Sequence, residues 1–259
     1  MVIDNIVDHF DRYFQIVPAI SDELKNEVYK LRYQVYCIEN EFLNSEDYPN
    51  DLEFDDYDQH SVHYLIRHRK SGICAATTRL ILPNTNNLEK PLQIETYSRI
   101  DNVNPLKTMS RHKLAELSRF CISKQFRQRK YEQHLLCNDA KLLEATFSQN
   151  EKRSLSYLML ALFACAIKMS AENNIHYWYA IMTPALNRVV STLGIHFTEI
   201  GPFVDFHGLR RPYVIKVDDL LDSVAEKNLD YWNMLTNRGN NWQAKPNEKR
   251  VSYIIAQQP

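Results

Sequence analysis

Apolar positions recur along this chain at two spacings, and the switches between them mark out the elements. Ile6, Phe10, Tyr13 and Phe14 form an aromatic, amphipathic segment that runs into FQIVPAI, a first strand ended near Pro18. Ser21 then reads as a helix N-cap, with Asp22 and Glu23 in the first turn. Leu24, Val28, Leu31 and Val35 follow at helical spacing and are expected to face the core, with Arg32 and Tyr36, four apart, stacked at one edge of that face. Residues 62–67 and 73–82 flank a Ser71-Gly72 turn and predict an antiparallel hairpin. Residues 83–112, with Pro83, Pro91 and Pro105, form a long irregular connection, a length typical of functional lids or disordered segments. Helical spacing returns from 154 to about 172, where Leu155, Leu158, Met159, Leu162, Phe163, Ala166 and Met169 share one face. YWYAIM at 177–182 is a strand, and Thr183-Pro184 opens a helix that stops at Gly194. HFTEI and RPYVIKV add two strands, and residues 219 to about 235 form a terminal helix. Residues 237–259 are polar and expected to be loosely attached. The sum is a mixed α/β domain of about seven strands flanked by helices.

The stretch KLAELSRFCIS, residues 113–123, is the strand with chemistry in it. Leu114, Phe120 and Ile122 share one parity, yet Glu116 and Ser118 occupy that same parity where an apolar face is expected. Glu116 and Arg119, three apart, would point to opposite faces of a regular strand, so a shared site requires a bulge between them. An interior ion pair, or an edge strand with its polar side in water, accounts for the same residues. Arg79, inside the otherwise apolar ATTRLIL, needs a partner or an exit to solvent.

Residues 44–60, NSEDYPNDLEFDDYDQH, form an acidic, turn-rich loop with seven carboxylates: Glu46, Asp47, Asp51, Glu53, Asp55, Asp56 and Asp58. It is a solvated loop, or it recognises a cationic amine, or arginines such as Arg32, Arg79 and Arg119 sit among its charges. An EF-hand is excluded, because its central glycine and twelfth-position Glu are missing, and no metal site is expected. The formal net charge of −1 gives no global attraction to nucleic acid, so electrostatic recognition falls to local patches. One such patch is Lys124, Arg127, Arg129 and Lys130; another is Lys152, Arg153 and Ser154 before a helix N-terminus. The two patches suit phosphate or an acidic partner, and a solvated helix face is the plain alternative. The five cysteines, an odd number with no C-x-x-C, read as reduced thiols. The five glycines build neither a Rossmann fingerprint nor a P-loop. With no signal-peptide pattern at the start and no apolar run of membrane length, a cytoplasmic protein is expected.

Four separated pieces then carry a resemblance. LRYQVY, E-x-D-x-x-D at Glu53 to Asp58, TRL at Thr78 to Leu80, and ELSRF at Glu116 to Phe120 together resemble the acyl-homoserine lactone synthases, which have the GNAT-like acyltransferase fold. RYQVYCIENEF and GPFVDFHGLRRPY are similar to two related groups: the N-acyl amino acid synthases, and the acyltransferases associated with PEP-CTERM/exosortase systems. The resemblance covers about residues 20–217 and implies a GNAT-like domain over 1–217, followed by a C-terminal helix and polar tail over 218–259. It implies that Arg32 and Tyr36 meet the acidic loop at Glu53, Asp55 and Asp58. Arg79, Glu116, Ser118, Arg119 and Phe120 would complete an amine-binding and acyl-transfer site. The tryptophan expected shortly after the first helix is absent, with Phe42 the nearest aromatic, Ala115 stands where a tryptophan often precedes the central Glu, and the glycine-rich acetyl-coenzyme A loop is missing. These departures point away from S-adenosylmethionine and from ordinary acetyl transfer.

The expected reaction moves a fatty acyl group from an acyl carrier protein or coenzyme A thioester to the amino group of an amino acid or similar small amine, with no tightly bound cofactor. Glu116 is the expected base, and backbone N–H groups around Ser118 to Phe120 the expected oxyanion donors. The basic residues Lys124, Arg127, Arg129, Lys130, Lys152 and Arg153, with Ser154, would dock the donor. A lactone-type signal synthase and a non-catalytic acyl-thioester sensor are the alternatives.

Overall fold

The computed structural model describes residues 5–102, 109–127 and 156–242. Helix α1 (Ile6–Tyr13) leads directly into strand β1 (Phe14–Pro18). Helix α2 (Asp22–Tyr33) starts where the Ser21 hydroxyl accepts the Leu24 N–H, and continues as a π-helical turn over Gln34–Glu39. Strands β2 (Ser61–His68) and β3 (Cys74–Ile81) form the expected hairpin, and the short helix α3 (Gln93–Tyr97) lies within the long connection to β4 (Leu114–Ile122). Then come α4 (Leu158–Glu172), β5 (Tyr177–Met182), α5 (Pro184–Thr192), the two-residue strands β6 (Thr198–Glu199) and β7 (Val204–Asp205), and β8 (Leu209–Lys216). Helices α6 (Val217–Lys227) and α7 (Leu229–Thr236) follow.

The strands lie in the order β1-β2-β3-β4-β5-β8-β6, with β7 paired to β8. Every pairing is antiparallel except β4 with β5. That parallel contact is short: Leu114, Ala115 and Glu116 pair with Tyr177, Trp178 and Tyr179, and pairing stops there although both strands run on. The two halves of the sheet therefore part beside Glu116: from Leu117 onward β4 keeps β3 on one side, and among the described residues no strand pairs with it on the other.

One face of the sheet carries the main core, built on α4 with residues of α1, α6 and α7 packed around it. The opposite face is covered by α2 at one end, where Val28 meets Leu65, and by α3 at the other, where Ile94 meets Ile81 and Leu114. Between those two covers, the same face carries a polar row.

Three expectations change in detail. Helix α4 is buried on nearly every side, not along one stripe: Leu160, Ala161, Ala164, Cys165 and Ile167 are as enclosed as Leu158 and Phe163. A helix that is apolar all round is a core helix. The terminal helix is two helices, because the Asn228 backbone turns extended and its side chain caps the Asp230 and Tyr231 N–H groups of α7. The stretch from 237 onward, expected to be loosely attached, is anchored at Trp242, which joins Trp232 and Leu235 in the main core and donates through Nε1 to Asp218 at 3.0 Å. Residues 243–259 of the polar tail lie outside the described residues.

Candidate active site

Cross-strand register builds the polar row. His63 on β2 sits opposite Arg79 on β3, and Arg79 sits opposite Ser118 on β4. One step along, Ile81 faces Glu116. Between Thr77↔Cys121 and Arg79↔Ser118 the register slips, so that Arg119 and Phe120 together oppose Thr78. This is the bulge that the Glu116 and Arg119 spacing requires. Arg119 occupies the left-handed region at φ 54°, a conformation unusual for a residue with a side chain. The bulge re-aims its guanidinium to the face that carries Arg79 and Ser118.

The acidic loop supplies the counter-charges. Asp55 and Asp58 cap a 3₁₀ turn (Asp56–His60) reciprocally: Asp55 Oδ1 accepts the Tyr57 N–H at 3.0 Å, and Asp58 Oδ2 accepts the Asp55 N–H at 2.8 Å. That geometry turns both carboxylates inward. Arg32 from α2 donates through Nε to Glu53, and through Nη1 and Nη2 to Asp58 at 2.7 and 3.1 Å. Arg79 reaches Asp55 at 2.6 Å, Asp58 at 3.0 Å, the Ser118 hydroxyl at 3.0 Å and Gln93 of α3 at 3.0 Å. Arg119 reaches Glu53 at 2.9 Å and Asp55 at 3.0 Å.

Three guanidiniums thus meet three carboxylates, and the charges cancel. Arg32, Arg79 and Glu53 are fully buried, so each needs the others. Burial alone would raise the Glu53 carboxyl, but Arg32 and Arg119 hold it at about 2. Asp58 is likewise held below the usual carboxylate range, where Arg32 and Arg79 overcome burial. His63 lies 3.4 Å from Asp58, yet burial and the neighbouring Arg32 push it down to about 3, so the imidazole is neutral and makes no ion pair. Of the seven loop carboxylates, Glu46, Asp47, Asp51 and Asp56 face solvent.

Glu116 behaves differently. It is buried, and it accepts the Ile94 N–H of α3 at 2.7 Å. Burial raises its pKa to about 7, outweighing that hydrogen bond and the more distant Arg79 and Arg119. A carboxyl poised near neutrality suits proton transfer. Glu116, Ser118 and Arg119 line one cleft with Tyr36 of the π-helical turn, and Phe42, Gln93, Ile181 and the β7–β8 turn complete it. As lined by the described residues the cleft holds about 50 Å³, room for a small polar head group.

The expected site residues therefore separate into two layers. Tyr36, Glu116, Ser118 and Arg119 line the cleft, while Arg32, Glu53, Asp55, Asp58 and Arg79 stand behind and hold Arg119 and the acidic loop in place. The Phe120 ring is not in the lining: it packs against Phe163 of α4 at 4.9 Å, and its carbonyl accepts the Tyr36 hydroxyl at 3.3 Å. The expected Arg32–Tyr36 stack does not form. Arg32 lies over Tyr29 at 5.4 Å and Arg119 over Tyr36 at 5.5 Å, because the wider π-helical turn rotates Tyr36 out of the α-helical register. Of the basic residues, Arg127 donates to Glu39 at 3.1 Å and to the Ile122 carbonyl at 2.7 Å, and the Lys124 backbone N–H is bound to Glu39. Arg129, Lys130, Lys152, Arg153 and Ser154 lie outside the described residues. Cys121 is enclosed, its thiol pushed up by burial, as befits a core residue. Among the described residues no group of three or more His, Cys, Asp or Glu is arranged to hold a metal ion, and no helix is long and apolar enough to cross a membrane.

Comparison with known proteins agrees with this architecture. The family described as Acetyltransferase (GNAT) domain matches residues 31–137. No curated protein matches the sequence. Among solved structures, TofI in a ternary complex with an inhibitor and MTA is 18% identical over 82% of this chain and 96% of that one, with a TM-score of 0.53. BjaI, a CoA-dependent acyl-homoserine lactone synthase solved with SAM and isopentyl-CoA, is 14% identical over 94% of this chain and 99% of that one (TM-score 0.54). FeeM, an N-acyl amino acid synthase from uncultured soil microbes, is 13% identical over 81% of this chain and 94% of that one (TM-score 0.50). The fold is a mixed α/β, GNAT-like one.

Proposed function

We propose that this protein is an N-acyltransferase that moves a fatty acyl group from a phosphopantetheine thioester to the amino group of an amino acid or similar small amine. The observation that carries the reading is Glu116: a buried carboxyl raised to about 7, in a cleft shared with Arg119, at the point where β4 and β5 part. The GNAT match and the likeness in fold to FeeM and BjaI support acyl transfer as the class of reaction.

The proton balance fits that site. The acceptor arrives as an ammonium, which has no lone pair, and Glu116 takes its first proton directly or through water. The freed amine attacks the thioester carbonyl carbon. Backbone N–H groups of the bulged strand beside the gap are suited to hold the resulting oxyanion. Collapse expels the pantetheine sulfur as thiolate, and the second nitrogen proton leaves with it to give thiol and amide. No covalent acyl-enzyme is needed. The narrow cleft takes the amine's head, with the thioester carbonyl brought to it where β4 and β5 part. The donor in this reading is acyl carrier protein or acyl-coenzyme A, and the sequence's candidates for docking it are the basic residues around Lys124 together with Lys152 and Arg153, which lie outside the described residues. The PEP-CTERM/exosortase association rests on the sequence pieces RYQVYCIENEF and GPFVDFHGLRRPY.

Incubation with long-chain acyl carrier protein or acyl-coenzyme A and a pool of amino acids, read by mass spectrometry, tests the reading. New amide masses are expected. Release of methylthioadenosine from added S-adenosylmethionine would favour a lactone-type synthase instead, and an intact thioester with every acceptor would leave a sensor.

A further inference from the structure

A fourth arginine enters the cleft from the far side of the sheet gap. Val204 and Asp205 of β7 pair with Arg210 and Leu209 of β8 around a tight turn at His207 and Gly208, both with positive φ. Asp205 is occupied with its own turn, accepting the Gly208 N–H at 3.2 Å. On β8, Arg211 is satisfied by Glu199 at 2.5 Å and by the Gly201 carbonyl at 2.8 Å. Arg210 points the other way, into the lining shared with Glu116 and Arg119.

Arg32, Arg79 and Arg119 each have carboxylates, but among the described residues no carboxylate pairs with Arg210. Its guanidinium lies 5.8 Å over the Phe42 ring and donates through Nη2 to the His207 carbonyl at 3.3 Å. Its Nε is buried with no hydrogen-bond partner among the described residues. Burial and the nearby Arg119 charge both act against this cation. A buried donor on a charged group, left without an acceptor, is costly until an anion arrives. A planar carboxylate matches the guanidinium fork, and a head group of that size fits the enclosed space.

We propose that Arg210 binds the carboxylate of the acyl acceptor, so that the acceptor is an amino acid and not a simple amine. This rests on the acyl-transfer reading above and narrows it. With the carboxylate on Arg210, the acceptor's amino group stays within the cleft that Glu116 lines.

The test compares acceptors that differ only in the carboxylate: glycine, leucine and phenylalanine against methylamine, 3-methylbutylamine and phenethylamine, with amide formation from acyl-coenzyme A or acyl carrier protein as readout. The wild type is expected to prefer the amino acid of a pair, and Arg210→Ala to shrink that kcat/KM ratio about 100-fold, mostly through KM, with partial recovery in Arg210→Lys. The ratio is internal to each variant, so a general loss of fold or activity does not mimic the effect. An unchanged ratio in Arg210→Ala overturns the proposal while leaving acyl transfer intact. So does a rise in KM for the thioester donor alone, which would assign Arg210 to the donor's phosphate. Amide formation from none of the acceptors overturns the acyl-transfer reading and this inference together.

Discussion

Replacing Glu116 by Gln should make the protein more stable at neutral and alkaline pH. The Glu116 carboxyl is raised from 4.5 to about 7 by burial in the folded chain. Between those values the native state holds a proton that the unfolded chain has released. Stability attributable to this group is therefore full below about pH 4.5, falls as pH rises towards 7, and is flat above it. A shift of that size corresponds to about 3 kcal/mol between the two limits. Glutamine keeps an oxygen to accept the Ile94 N–H and has no charge to desolvate. Urea denaturation of both proteins at pH 5 and pH 8.5 measures the effect, and comparing the pair cancels the other titrating groups. Because the unfolded carboxyl is already mostly ionised at pH 5, the variant's advantage should be roughly 2–3 kcal/mol larger at pH 8.5 than at pH 5. A difference that does not change with pH would show that Glu116 titrates as an ordinary carboxyl, and the argument for a poised base would fail.

Two further predictions concern the scaffold. Arg32→Ala leaves Glu53 buried beside only Arg119 and strips Asp58 of one of its two arginines, so it should cost roughly 3–5 kcal/mol by chemical denaturation, and a loss under 1 kcal/mol would contradict the network. Gly201→Ala places a Cβ about 2.0 Å from the Arg99 carbonyl oxygen and 2.8 Å from the Pro212 ring; it should lower stability by roughly 1–3 kcal/mol, whereas Gly208→Ala meets open space and pays only for its positive φ.

Much of the scaffold can be read from local pattern, because its signals are local. The Ser21 and Thr183 caps, the β2–β3 hairpin and the Thr183-Pro184 helix start all depend on neighbours in sequence, and all stand as expected. Arg79, a charge inside an apolar strand, signals its need for partners in the same way. The misses are of another kind. Asn228 breaks the terminal helix through a side-chain cap that leaves the apolar spacing undisturbed. The Arg32–Tyr36 pairing fails because a π-helical turn intervenes, and nothing in QVYCIE announces one. Helix α3 is five residues long, too short to show a period inside the connection that hides it, yet it brings Gln93 to Arg79 and the Ile94 N–H to Glu116. The acidic loop's charge balance depends on three arginines from α2, β3 and β4 meeting in space. Arg210 and Arg211 are adjacent and identical in kind, and only the pairing of β8 with β6 and β7 sends one to Glu199 and the other to the cleft.

That geometry also decides which variant is informative. Arg119 holds Glu53 and Asp55, so its removal confounds chemistry with folding, whereas Glu116 touches α3 through a single accepted hydrogen bond that Gln can keep. The central claim, a general base at the split in the sheet, is tested most directly by the pH dependence of amide formation in the wild type and Glu116→Gln. The account predicts that wild-type kcat/KM rises with pH through a midpoint near 7, and that Glu116→Gln loses that inflection along with roughly 10²–10⁴-fold in rate. A variant that forms amide at the wild-type rate with the same pH profile would contradict it.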